Sequence, residues 1–235
     1  MLQGLYKFRF TTQRGVGCGV MFITTGGRLY GGDTGYSFVG GFTEEDGVIA
    51  AEFRMSRHYY GPKYVPMFDV DDVVMNFTGT YQGEEVHFEG GSAALPDARF
   101  TTVLTAINDI DAPPPGNVGP DGISNGLYSI HIRMLDGVDG GLTGVMLLNQ
   151  GRILGGDACF YYLGTYTSAN GRWKGQILNQ EHTPAKGENP VFGGHEVGIG
   201  FSGTCDEDGA LLDATALAGK RSLRLSAVLK LMRRL

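Results

Sequence analysis

Two histidines, His58 and His182, sit in matching surroundings 124 residues apart, and repeated histidines are the first place to look for acid–base or metal chemistry. Neither stands in an HExxH pattern or in a His-Cys cluster, so each reads as a histidine hydrogen-bonded within its turn. Asp33 and Asp157 each follow a Gly-Gly pair, a place where aspartate caps a turn through its own side chain. Asp69, Asp71 and Asp72 look superficially like a calcium loop, but the segment lacks the required glycine and the terminal glutamate. Gly31-Gly32 and Gly155-Gly156 are followed by no helix whose N-terminus could hold a phosphate. The three cysteines, Cys18, Cys159 and Cys205, form no CxxC pair and read as reduced, mostly buried thiols. No Ser-His-Asp or Cys-His signature is present either. The expectation is a protein that is not an enzyme, with no catalytic residue, no metal and no cofactor. Two acidic turns remain, Glu44-Glu45-Asp46 and Asp206-Glu207-Asp208. Adjacent like charges repel, and a solvated turn bears them because water screens the cost. The first turn reads either as a solubility feature or as a surface for a basic partner.

The elements that would carry these residues are short strands. The chain of 235 residues holds 39 glycines, more than twice the usual share of about 7%. They fall in pairs between apolar-alternating runs, where tight turns and bulges need positive φ. Tyr6, Phe8 and Phe10 alternate with Leu5, Lys7 and Arg9, a period of two that lines one face with aromatics. The pattern then repeats. Gly4-Leu5-Tyr6 recurs as Gly126-Leu127-Tyr128, and Gly27-Arg28-Leu29-Tyr30-Gly31-Gly32-Asp33 recurs as Gly151-Arg152-Ile153-Leu154-Gly155-Gly156-Asp157. At the same spacing Tyr36, Phe38, Phe42 and Thr43 match Phe160, Tyr162, Tyr166 and Thr167, and Pro66 and Phe68 match Pro190 and Phe192. The match continues through Val73, Phe77, Gly79 and Thr80 with Val197, Phe201, Gly203 and Thr204. Such a run is the mark of a tandem duplication. Between the copies, residues 108–125 include Pro113-Pro114-Pro115, Gly116, Gly119 and Pro120, a composition that stiffens a linker. The C-terminal Leu223, Leu225, Ala227, Leu229 and Leu231 alternate with Arg224, Ser226, Val228 and Lys230, which predicts a closing strand rather than a basic amphipathic helix. About eight strands per copy is the number at which an up-and-down sheet closes on its own side chains or on one small ligand. The expected fold is all-β: two tandem lipocalin-like eight-stranded antiparallel barrels, over 1–107 and 126–235.

The formal net charge of −6 lacks the electrostatic footprint of a nucleic-acid binder, so no direct nucleic-acid contact is expected. The bases Lys220, Arg221, Arg224, Lys230, Arg233 and Arg234 read as the solvated face of the last strand. No apolar stretch reaches the length of a membrane-spanning helix, and Met1-Leu2-Gln3 runs into a strand with no secretory signal pattern. The expectation is a cytoplasmic protein with no membrane partner.

The opening Gly-Leu-Tyr strand, the Gly-Arg-Leu/Ile-x-Gly-Gly-Asp hairpin, the Tyr/Phe-x-Phe/Tyr-x-Gly-x-Phe/Tyr strand and the later Phe-x-Gly-Thr occur in both copies. In these elements the chain resembles the GrlR-like family of bacterial negative regulators of type III secretion. The resemblance implies small eight-stranded, lipocalin-like barrels that pair as homodimers and bind a transcriptional activator, holding it off DNA. It also implies an acidic Glu-Asp-Glu-Asp surface motif, to which Glu44, Glu45 and Asp46 correspond, with Gly47 in the last place. The second copy has Ser168-Ala169-Asn170-Gly171 there. Family barrels are single-copy, so two tethered barrels are expected to imitate the homodimer. The resemblance thus implies a non-enzymatic regulator whose partner docks at Glu44, Glu45 and Asp46. The alternative is a lipocalin-like binder of a small apolar ligand, because a barrel of this size can enclose one molecule.

Overall fold

The computed structural model describes residues 2–61, 64, 66, 69–107, 113–135, 141–185 and 196–235, and these form sixteen β-strands and no helix. The chain divides into two compact units, Met1–Ile110 and Asp111–Leu235. In the first, β1 (Gly4–Thr12), β2 (Gly15–Ile23), β3 (Arg28–Gly32), β4 (Tyr36–Glu45), β5 (Val48–Arg57), β6 (Asp72–Gln82), β7 (Glu85–Ser92) and β8 (Leu95–Ala106) follow one another around a closed barrel. The second repeats this with β9 (Gly126–Met134), β10 (Gly141–Asn149), β11 (Arg152–Gly156), β12 (Phe160–Ala169), β13 (Arg172–Glu181), β14 (Val197–Cys205), β15 (Gly209–Ala218) and β16 (Arg221–Arg234). Every pairing is antiparallel, and β1 with β8 and β9 with β16 close the two sheets. The C-terminal alternating run is therefore a strand. The expected matches at Phe68, Pro190 and Phe192 lie outside the described residues.

Period-two patterning sets which face is core. In β6, Val73, Met75 and Phe77 are buried while Val74, Asn76 and Thr78 are exposed, and in β16 Leu223, Leu225, Ala227 and Leu229 are buried between Arg224, Ser226, Val228 and Lys230. Apolar residues point inward and mostly polar ones outward on these strands, the reverse of a lipid-facing barrel. In the first barrel phenylalanine is the commonest buried core side chain. Phe8, Phe38, Phe53, Phe77 and Phe100 form a chain of ring contacts, with centroids 5.3–5.8 Å apart. Such bulk fits because glycines lie across the strands: Gly17 is paired with Phe10, and a Cβ there would meet the Phe10 ring at 2.0 Å. Much of the high glycine content therefore serves ring packing as well as turns.

The tight hairpins have a turn chemistry that the sequence makes explicit. Asp46 and Gly47 have φ of 50° and 78°, and Asn170 and Gly171 at the same place in the second copy have 53° and 70°. Two successive positive φ values define a type I′ turn, which favours Asp/Asn followed by Gly.

Residues 113–125 do more than connect. The segment lies along one end of the second barrel as a strap: Gly116 N–H donates to Gly151 O, Gly119 N–H to Ser168 O, Ser168 N–H to Asn117 O, Asn170 N–H to Pro120 O and Gly171 N–H to Asp121 O. Val118 forms an isolated parallel bridge with Ser168, and Ile123 is buried in that barrel's core. The three prolines mark a stiff connector in the sequence but give no sign of its docking.

Candidate functional site

The duplicated Asp and His form a structural clip. Asp33 Oδ1 accepts from the Gly35 and Tyr36 amides at 2.7 and 2.8 Å, and Asp157 Oδ1 accepts from Cys159 and Phe160, each at 2.8 Å. His58 Nε2 lies 3.3 Å from the Asp33 carbonyl and His182 Nε2 lies 3.2 Å from that of Asp157. Each histidine therefore ties the end of one strand to the aspartate turn 25 residues earlier, and His182 Nδ1 also lies 2.9 Å from the Thr183 hydroxyl within its own turn. In the second copy Tyr162, which stands where the first copy has Phe38, donates its hydroxyl to Asp157 Oδ2 at 2.5 Å. Burial pushes the Asp157 carboxyl above its ordinary range, opposed by that hydroxyl and the two amides.

The aspartates of the calcium-like stretch disperse onto three arginines. Arg14 pairs with Asp69 at 2.8 Å, Arg57 with Asp71 at 3.4 Å and Arg54 with Asp72 at 2.6 Å. Among the described residues no cluster of three or more acids, histidines or cysteines could hold a metal ion. None of the three cysteines is in a disulfide, and each is half-buried rather than buried. Cys205 Sγ lies 3.4 Å from Ser168 Oγ, beneath the strap.

Glu44, Glu45 and Asp46 come together along the chain but not on one face. Glu44 continues the inward parity of Tyr36, Phe38 and Phe42 and sits at the rim, where its Oε2 accepts from the Tyr81 hydroxyl at 3.1 Å. Burial, followed by this bond to Glu44, pushes the Tyr81 phenol up to about 12. Glu45 points to the opposite face and pairs with Val48, while Asp46 occupies the first positive-φ place of the turn. Asp46 thus has a conformational reason to be where it is.

Sequence reasoning left open whether the aromatic interior was filled. In the first barrel it lines an apolar cavity of about 60 Å³. Phe8, Phe38, Phe53, Phe77 and Phe100 form much of its wall, Met21 and Met55 contribute thioethers, and Leu2 and Leu104 complete it. The only side-chain hydroxyl on the lining is that of Thr102. Ala51 also faces the space, and it is the smallest side chain there. At the matching positions the second barrel is built differently. Trp173 stands where the first has Ile49, and it packs on Tyr166 and Phe201 with centroids 6.2 and 4.5 Å away. Tyr166 replaces Phe42, Ile177 replaces Phe53, and Trp173 Nε1 donates to the Leu211 carbonyl at 3.0 Å. Spacing alone marked both interiors as aromatic; the difference in packing depends on which rings stand opposite which small residues.

These features define a class: a tandem pair of closed eight-stranded antiparallel barrels, lipocalin-like in form, with an apolar space inside the first. No family model matches the chain, and no curated protein matches it. Among solved structures, the chain is similar to a putative outer membrane protein from Bacteroides fragilis, at 8% identity and a TM-score of 0.28, over 97% of this chain and 96% of that one. It is also similar to a protein of unknown function of the DUF3598 family from Nostoc punctiforme, at 6% identity and a TM-score of 0.23, over 98% and 96% of the two chains.

Proposed function

We propose that this is a non-enzymatic binding protein in which the first barrel receives a small apolar ligand and the second is a packed structural partner. The observation that carries this reading is the cavity of about 60 Å³ walled by phenylalanine, methionine and leucine. A wall with so little polarity gives water few hydrogen bonds, so the space favours an apolar occupant. Its size sets the ligand: room for on the order of two or three heavy atoms, which suits the end of a short alkyl group and not a whole lipid. Native mass spectrometry of the full chain purified from its host tests this. A retained small apolar mass, lost on organic extraction, is the expected result; an apoprotein whose melting temperature is unmoved by short-chain alkanes or xenon contradicts it.

A regulatory, partner-binding role is the second reading. It is supported by the resemblance to GrlR-like regulators and by the three acids at the rim of the same barrel. In that role an activator's basic surface meets Glu44, Glu45 and Asp46, and the acids speed capture more than they add affinity. Alanine at all three positions is expected to leave the fold intact and to weaken capture of an activator at low salt more than at high salt. Unchanged affinity in a titration at two ionic strengths removes these residues from the site.

A further inference from the structure

The turn between β12 and β13 is made by Asn170 and Gly171, and Asn170 is exposed. An Asn-Gly pair is chemically labile. The Gly171 backbone nitrogen can attack Asn170 Cγ, because glycine has no Cβ to crowd the approach. The N–Cγ bond forms, the Cγ–Nδ2 bond breaks and the side-chain amide leaves as ammonia. Water then opens the cyclic imide at either carbonyl, giving aspartate or, with the main chain rerouted through Cγ, isoaspartate. For this to happen the attacking nitrogen must give up its proton and swing toward Cγ. The chain's other Asn-Gly pair is Asn125-Gly126, where Asn125 is half-buried and its Oδ1 accepts from the Gln150 N–H at 2.9 Å. Asn170 is the more open of the two.

The strap opposes both steps at Asn170. Gly171 N–H donates to Asp121 O and Asn170 N–H to Pro120 O, each at 2.9 Å, so the proton is held and the backbone is fixed on both sides of the Asn170 Cα. The strap is held in turn by Ile123, whose side chain is buried and whose N–H donates to Ser168 Oγ at 2.8 Å. A surface segment of this kind opens locally at less cost than global unfolding. The two products differ in how they fit the turn. The first barrel already carries the aspartate form: Asp46 and Gly47 have φ of 50° and 78°, close to the 53° and 70° of Asn170 and Gly171. Isoaspartate lengthens the main chain by one methylene, which a two-residue type I′ turn does not accommodate, and so turns the two amides away from Pro120 and Asp121. We propose that Asn170 is a deamidation site guarded by the strap, and that its conversion to isoaspartate frees the strap from the second barrel irreversibly. This device is independent of the first barrel's cavity.

The test ages the full chain in mildly alkaline buffer and follows Asn170 by peptide mapping and mass spectrometry, beside a synthetic peptide of residues 166–175. Conversion in the full chain is expected to be about tenfold or more slower than in the peptide. Gly122→Ala and Ile123→Ala both loosen the strap, the first because a Cβ on Gly122 would lie 2.9 Å from Ser168 O and 3.0 Å from Gly119 O. In protein whose Trp173 fluorescence is still native, each should speed conversion by about threefold or more. The isoaspartate form should lose hydrogen-exchange protection at the Gly119 amide, which bonds to Ser168 O, while Asn170→Asp keeps it. Conversion as fast in the full chain as in the peptide, no acceleration in either variant, or unchanged Gly119 protection in the isoaspartate form would each overturn the proposal.

Discussion

Ala51→Val is the sharpest probe of the first barrel's interior. Ala51 faces the cavity from β5, and valine suits a strand while adding two carbons to the space. An empty cavity costs about 24 cal/mol per Å³, so about 60 Å³ corresponds to an upper bound of about 1.4 kcal/mol recovered on filling. Burying two methyl groups gives a similar figure, about 1.6 kcal/mol. A realised gain of about 1 kcal/mol would raise the first barrel's melting temperature by about 4–8 °C. The matching residue in the second barrel gives an internal control of opposite sign. A Cβ at Gly175 would lie 2.2 Å from the Thr165 carbonyl oxygen, so Gly175→Ala should destabilise by about 1–3 kcal/mol. Calorimetry follows both barrels, and the single tryptophan, Trp173, makes fluorescence a reporter of the second alone. Destabilisation of the first barrel by Ala51→Val would refute the reasoning, because it would mean there is no space to fill.

Other outcomes follow from the same geometry. Ile123→Ala removes the strap's buried anchor and should cost the second barrel about 2–5 kcal/mol, seen as a lower denaturant midpoint by Trp173 fluorescence; a shift too small to measure would show that the strap rests on its backbone bonds alone. Because burial raises the Asp157 carboxyl, the native state favours its protonated form. That contribution is complete below the unfolded value near 3.8 and is lost as pH rises through the higher native value. Asp157→Asn should remove this fall in the second barrel's stability, and an unchanged pH profile would contradict the assignment. Glu44→Gln should lower the Tyr81 phenol from about 12, as followed by ultraviolet titration, since the hydrogen bond and charge of Glu44 both raise it.

Much of the architecture was written in the chain. The 124-residue recurrence of the Gly-Arg hairpin, the aspartate turn and the aromatic strand could only mean two copies, and the alternation in Tyr6–Phe10 and Leu223–Leu231 gave the strands and their inward faces. These are local signals, a period of two and a turn residue at a fixed place. The missed features depend on long-range placement. His58 and Asp33 meet across 25 residues, a contact that spacing within the turn did not reveal. The composition of Pro113–Pro115 marked a stiff linker, but the strap's docking depends on β11 starting only at Arg152, opposite Thr165, which leaves the edge of β12 beyond that pair to be covered. Adjacency also concealed the geometry of the acidic turn. Glu44 and Glu45 are neighbours in sequence, yet strand geometry sends them to opposite faces, and Asp46 serves the turn.

The central claim, that the first barrel is the half with room for an apolar ligand, is tested most directly by methyl NMR of the full chain labelled at methionine and equilibrated with xenon. Met21 and Met55 line the cavity, whereas Met134 and Met146 belong to the core of the second barrel. Saturable shifts at Met21 and Met55, with Met134 and Met146 unmoved, are the predicted result. Shifts confined to the second pair, or no saturable shift at Met21 and Met55, would contradict it.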